Sequence, residues 1–179
     1  MALINTTTTG VLGTTIFGDG SGDLTVQQNG VTVNKITVAP AFSAYQSVSQ
    51  TLSNNAYNKI TLTTESFDTN SNYDTSTSRF TPTVAGYYYV SGRATAVTTS
   101  TSDQLGAYIR KNATAFINQG TAITGLTNFY PTAVVTDLIY MNGSTDFIEL
   151  YVYLGSSATK ASANDSQSTA FGATLVRAA

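Results

Sequence analysis

Phe80-Thr81-Pro82-Thr83-Val84-Ala85-Gly86-Tyr87-Tyr88-Tyr89-Val90-Ser91-Gly92 is the stretch on which the fold turns. Pro82 fixes φ and Gly86 accepts backbone angles that other residues resist, so the pair reads as a hard corner released into a strand. Tyr and Val fit a pleated, half-buried surface. The alternation continues through Ala94 and Ala96, placing Tyr88, Val90, Gly92, Ala94 and Ala96 on one face. It reads as a strand over Tyr87 to Val97.

Working outward, strand signals recur every 8 to 12 residues or so from Pro40, the spacing of an all-β sandwich or barrel. Phe42 to Val48 and Lys59 to Thr63 are short candidates, and the polar run Asp68 to Ser78 reads as a loop before Arg79 to Thr81. Leu105, Ala107 and Ile109 line one face of a strand ending at Lys111-Asn112. Ala133 to Met141 and Asp146 to Leu154 flank Asn142-Gly143-Ser144-Thr145 and read as a hairpin. In the second of these both faces are bulky, so a cover is expected behind Tyr151 and Tyr153. Ser156 to Thr169 is polar loop, and Phe171, Ala173 and Leu175 make a closing strand. No segment has a helical period.

Residues 1 to 36 differ. Thr6 to Thr9 is a low-complexity tract followed by Gly10, Gly13, Gly18, Gly20 and Gly22, which argues against helix and against a self-sufficient core. Strand-like pieces lie near Thr14 to Phe17, Leu24 to Gln27 and Val31 to Val38, with Asn29-Gly30 as a hairpin signal. This segment reads either as an arm that orders against a partner through Ile4, Val11, Leu12, Ile16, Phe17, Leu24 and Val26, or as a loose N-terminus. The expected division is therefore an arm, 1–36, and a β domain, 37–179.

Composition narrows the function. The 179 residues suit one domain, and 41% hydrophobic residues are too many for a disordered chain. Charged residues are only 10%, while Thr (32) and Ser (18) fill 50 positions. Such a surface repels itself weakly and suits an assembly. A net charge of −2 with basic residues spread thinly gives no reason to expect nucleic acid. No apolar run approaches the ~20 residues that span a bilayer, and the start lacks the pattern of a signal peptide. Cys and His are both absent, which closes thiolate and imidazole metal sites and the Ser-His-Asp and Cys-His nucleophile systems. No enzyme activity and no cofactor are expected.

Several acidic groups were candidates for chemistry. Asp19-Gly20-Ser21-Gly22-Asp23 has the look of a calcium loop, but Gly30 stands where an EF-hand needs Glu, and the segment reads as a glycine-rich turn. Asp146 with Glu149, or Asp137 with Glu149, could pair for glycoside hydrolysis. Each is expected instead to face solvent from a strand. Arg110-Lys111 reads as an exposed strand end or a salt bridge between subunits.

The order Ala41-Phe42-Ser43-Ala44, Phe67, Tyr73-Asp74, Phe80-Thr81-Pro82 and Gly86-Tyr87-Tyr88-Tyr89-Val90 resembles the globular head of complement component 1, subcomponent q, which belongs with the tumour-necrosis-factor-like jelly rolls. Lys111-Asn112, Asp146-Phe147-Ile148-Glu149-Leu150 and Phe171-Gly172-Ala173-Thr174-Leu175 continue the likeness, which spans about residues 40 to 176. The last strand departs, with Gly172 directly after Phe171. The resemblance implies an all-β jelly-roll sandwich that forms a homotrimer by burying aromatic strand faces. Some of Tyr87, Tyr89, Tyr151 and Tyr153 would then line the subunit interface, the alternative being that they pack under loops of their own chain.

The resemblance implies, for members from animals, secretion, usually with a signal peptide and often with a Gly-X-Y stalk, and neither pattern is read in this sequence. Ile16-Phe17-Gly18-Asp19-Gly20-Ser21-Gly22-Asp23-Leu24-Thr25-Val26 resembles the opening segments of bacteriophage fibre and virion-surface proteins. Together the two resemblances imply a structural protein on the phage virion surface. Its partners would be its own copies and the major capsid protein or another virion protein, in the role of capsid decoration (cement). A short tail or head fibre that binds a host-surface glycan or receptor is the alternative, and a free secreted lectin stands further off.

Overall fold

Period-2 runs of Val, Ile, Tyr and Phe satisfy their backbone groups by pairing as strands, and the computed structural model of the chain does so throughout. It describes residues 14–18, 24–28, 31–36, 39–97, 102–124 and 130–179, and among these there is no helix. The chain divides into two compact units, Met1–Ala39 and Pro40–Ala179. In the first, β1 (Thr14–Gly18), β2 (Leu24–Gln28) and β3 (Val31–Ile36) form an antiparallel sheet in that order. Ile16 lies opposite Val26, Phe17 opposite Thr25, and Gly18 opposite Leu24. Ile4, Val11, Leu12 and the turn expected at Asp19–Asp23 lie outside the described residues.

The second unit contributes the remaining strands. They are β4 (Ala41–Tyr45), β5 (Thr51–Leu52), β6 (Ala56–Lys59), β7 (Thr64–Asp68), β8 (Tyr73–Asp74), β9 (Arg79–Phe80) and β10 (Gly86–Thr95). After these come β11 (Gln104–Lys111), β12 (Ala115–Thr124), β13 (Thr132–Met141), β14 (Ile148–Gly155), β15 (Lys160–Ala161) and β16 (Ala170–Ala178). One sheet has the order β13-β10-β16-β4-β7; the other has β12-β11-β14-β9-β8, with β6 also on β14. They stack as a jelly-roll sandwich.

The core lies between the sheets. Phe42 of β4 stacks on Tyr73 and Phe80 of the opposite sheet, with ring centroids 4.7 and 4.4 Å apart, and Tyr88 meets Phe80 at 5.6 Å. Both tyrosines of this core keep a partner for the hydroxyl: Tyr88 donates to the Val84 carbonyl at 2.7 Å and Tyr73 to the Leu62 carbonyl at 3.0 Å. Tyr88, Val90 and Ala94 are buried on the inner face of β10, as its alternation requires. Gly86 is demanded by crowding, since a Cβ there would overlap the Arg177 carbonyl oxygen.

Several expectations need correction. The link from β13 to β14 is no hairpin: β13 pairs with β10 and β14 with β11, so the chain crosses from one sheet to the other at 142–147. The crossing is clamped by Asn142, whose Oδ1 accepts from the backbone N–H of Ser144, Thr145 and Asp146 at 3.0 Å each. Gly143, at φ +71°, sits against the Val84–Ala85 backbone where a side chain would clash. The strand expected at Lys59–Thr63 instead ends at Lys59. Beyond it, Ile60 and Leu62 are buried one by one in irregular backbone. The loop expected over Asp68 to Ser78 contains the short β8, and the Ser156 to Thr169 loop contains β15. β7 and β12 were not anticipated.

Candidate functional site

Alternation along β10 that buries Tyr88 necessarily turns Tyr87 and Tyr89 outward. The register places Tyr87 opposite Tyr140 and Tyr89 opposite Leu138 of β13. These four side chains and Val176 of β16 are 43–60% exposed on the outer side of one sheet. The Tyr87 and Tyr140 rings meet at 5.5 Å, and Tyr87, Leu138, Val176 and Arg177 border a depression of about 370 Å³. Val134, further along β13, extends the apolar surface. A contiguous apolar face of this kind marks a contact surface more often than chance exposure does. Sequence reasoning named Tyr87 and Tyr89 but missed Leu138 and Tyr140. The signal was there, in the alternation of Ala133 to Met141.

Tyr151 and Tyr153 lie on the outer side of the opposite sheet, so the four tyrosines do not form one surface. Tyr153 packs on Tyr57 of β6 at 5.1 Å, and the Arg110 guanidinium stands 5.2 Å from the Tyr151 ring centre. Both rings are half-buried, partly covered by side chains of their own chain.

The carboxylates do structural work. Glu149 does not face solvent as expected; it is 1% exposed, and its Oε1 accepts from Lys59 Nζ at 2.5 Å and Arg79 Nε at 2.8 Å. Burial pushes its carboxyl up, but the hydrogen bonds and charges of Lys59 and Arg79 outweigh this and hold it below the usual range. Asp146 is likewise buried, not solvent-facing. Burial is opposed and outweighed there by Lys111 Nζ at 2.7 Å, the Asn112 amide at 2.8 Å and the Asn142 N–H at 3.0 Å. Lys111 is thus tied within its own chain. Asp137 belongs to β13, in the other sheet from Glu149. Each acid is committed to cations or amides of its own surroundings, an arrangement that serves stability and leaves no acid–base pair. Among the described residues no cluster of three or more Asp or Glu could hold a metal ion.

Comparison with known proteins bears on the fold alone. No family model matches the chain, and no curated protein matches its sequence. Solved structures do match. The Eiger TNF of S. frugiperda aligns over 79% of this chain and 94% of its own, with a TM-score of 0.59 at 12% identity. The globular domain of zebrafish complement 1qA aligns over 78% and 98%, at 0.58 and 16%. Murine APRIL at pH 5.0 aligns over 77% and 99%, at 0.60 and 6%. The fold is therefore the jelly roll of TNF and complement 1q globular domains, as the sequence resemblance implied.

Proposed function

We propose that the chain is a non-enzymatic subunit of a homotrimer on a phage virion surface, where it acts as a capsid decoration (cement) protein docked through residues 1–36. The observation that carries the reading is the apolar outer face of β10, β13 and β16. Each aromatic ring can withdraw ~150–250 Å² from water, and three copies closed around an axis would cover all three faces without leaving a free edge. The fold is the jelly roll for which the sequence resemblance implies a homotrimer, and the absence of His and Cys removes the common nucleophile systems.

Placement on a virion rests on composition and on the arm. A neutral, hydroxyl-rich surface suits permanent association. A separate N-terminal sheet, repeated three times in a trimer, would bind capsid with added avidity. Light scattering coupled to size exclusion, on the chain alone and mixed with undecorated phage capsids, tests both halves. A trimer that co-elutes with capsids is expected; a monomer would overturn the assembly, and a trimer that ignores capsids would overturn decoration.

A further inference from the structure

The outer side of the β6–β14 sheet has a feature that lies apart from the proposed trimer face on β10, β13 and β16. Beside the end of β6 and the turn between β8 and β9 is an open cleft of about 300 Å³, lined by Lys59, Thr61, Ser76, Thr77, Ser78 and Arg79. Its two cations are fixed from behind. Buried Glu149 takes Lys59 Nζ and Arg79 Nε on one oxygen, and the Thr77 carbonyl accepts from Lys59 at 2.5 Å. The Arg79 guanidinium carbon stands 4.2 Å from the centre of the Phe147 ring. With Nε occupied and one flat side against a ring, what Arg79 offers to solvent is its Nη edge.

The nearby anion does not compete for these cations. Asp74 receives the Ser76 N–H at 2.8 Å, the Ser76 hydroxyl at 2.6 Å and the Thr77 hydroxyl at 2.7 Å. A guanidinium held in one orientation matches a carboxylate or sulfate through two parallel hydrogen bonds. The surrounding Thr and Ser oxygens can accept from sugar hydroxyls. Tyr57 precedes Lys59 by two residues on β6, hence on the same face and roughly 7 Å along the strand. Its ring is half-exposed and can cover the C–H side of a pyranose.

We propose that this cleft binds an acidic sugar, with its carboxylate or sulfate on Arg79 and Lys59 and its ring against Tyr57. A Glu-rich peptide would satisfy the cations but carries no flat C–H face to lay on Tyr57, which is why the sugar is favoured. The inference goes beyond the virion reading and is independent of it, because oligomeric state and particle attachment are measured separately.

The test is isothermal titration of the full chain at low ionic strength with 3′-sialyllactose, a sulfated disaccharide, neutral lactose, sodium acetate, sodium sulfate and a Glu-rich peptide. The acidic oligosaccharides should bind at least about tenfold tighter than lactose and than the free anions. Arg79→Lys keeps the charge beside Glu149 but loses the fork, and should weaken acidic sugars about tenfold. Tyr57→Ala, at an exposed position, should weaken the sugars without changing the response to acetate or sulfate. The sialylated and sulfated probes distinguish the two anions. Absence of binding, equal binding of lactose, equal binding of the peptide or the free anions, or indifference to both substitutions would each overturn the proposal.

Discussion

Tyr87 and Tyr140 oppose each other across the β10–β13 ladder with ring centroids 5.5 Å apart, and both rings stay on the solvent side of the sheet. One step along, Tyr89 opposes Leu138. An isolated subunit must hydrate all four, which is the physical pressure toward association. Leu138→Asp places a carboxylate at the centre of that surface, and burying it unpaired would cost several kcal/mol, roughly enough to dissociate a trimer. The residue is exposed in the single chain, so the fold should survive. Scattering should report a monomer with unchanged far-ultraviolet circular dichroism. A Leu138→Asp protein that remains a trimer would remove this face from the interface.

Stability should fall at both ends of the pH range, for different groups. Glu149 and Asp146 sit below their ordinary values of 4.5 and 3.8 when folded. Their contribution is therefore complete above those values and is lost as pH falls through the lowered ones. Tyr88 has the opposite sign: burial pushes its hydroxyl up to about 12, so the stability it contributes is present below 10 and fades as pH rises toward 12. Urea midpoints should hold level from pH 5 to 9 and drop on either side. Glu149→Gln should reduce the acid limb and Tyr88→Phe the alkaline one, part of which persists because burial also raises the Tyr73 hydroxyl. An acid limb unchanged in Glu149→Gln would mean that the Lys59–Glu149–Arg79 cluster contributes nothing.

The fold was legible where periodicity and burial agree. In β10 every second side chain is buried, and the alternation identified the inner face residue by residue. It failed where a residue's partners are distant in sequence. Met141 and Ile148 flank a glycine turn and look like a hairpin, because alternation tells which face a strand buries but not in which sheet it pairs. Glu149 looked like a solvent-facing acid because Lys59 and Arg79, which permit its burial, lie 90 and 70 positions away. The candidate surface was half legible for the same reason. Tyr87 and Tyr89 stand out as aromatics, whereas Leu138 becomes part of the face only through the β10–β13 register.

The crossover that misled the sequence reading gives its own test. Asn142 Oδ1 accepts three backbone N–H groups at the point where the chain changes sheets, and its Nδ2 donates to the Thr145 hydroxyl at 2.9 Å. Asn142→Ala leaves those donors to water, because the turn is exposed, and the expected loss is about 0.5–1.5 kcal/mol. Asn142→Asp keeps the accepting oxygen and should recover most of it. Chemical denaturation of the three proteins decides the matter; equal losses for Ala and Asp would show that the side-chain oxygen is not what holds the crossing.

Residues 1–36 carry the attachment half of the proposed function, and their removal separates it from assembly. The second unit contains its own aromatic core and both sheets of the sandwich, so a chain beginning near Ala39 should remain folded. Because the proposed trimer face lies on β10, β13 and β16, the shortened chain should also remain a trimer. What it should lose is co-sedimentation with undecorated capsids, through loss of three linked contacts at once. Competition by an excess of the shortened protein against the full chain sharpens the readout. If the shortened protein still decorates capsids, or displaces the full chain from them, attachment belongs to the jelly roll and the arm has another use.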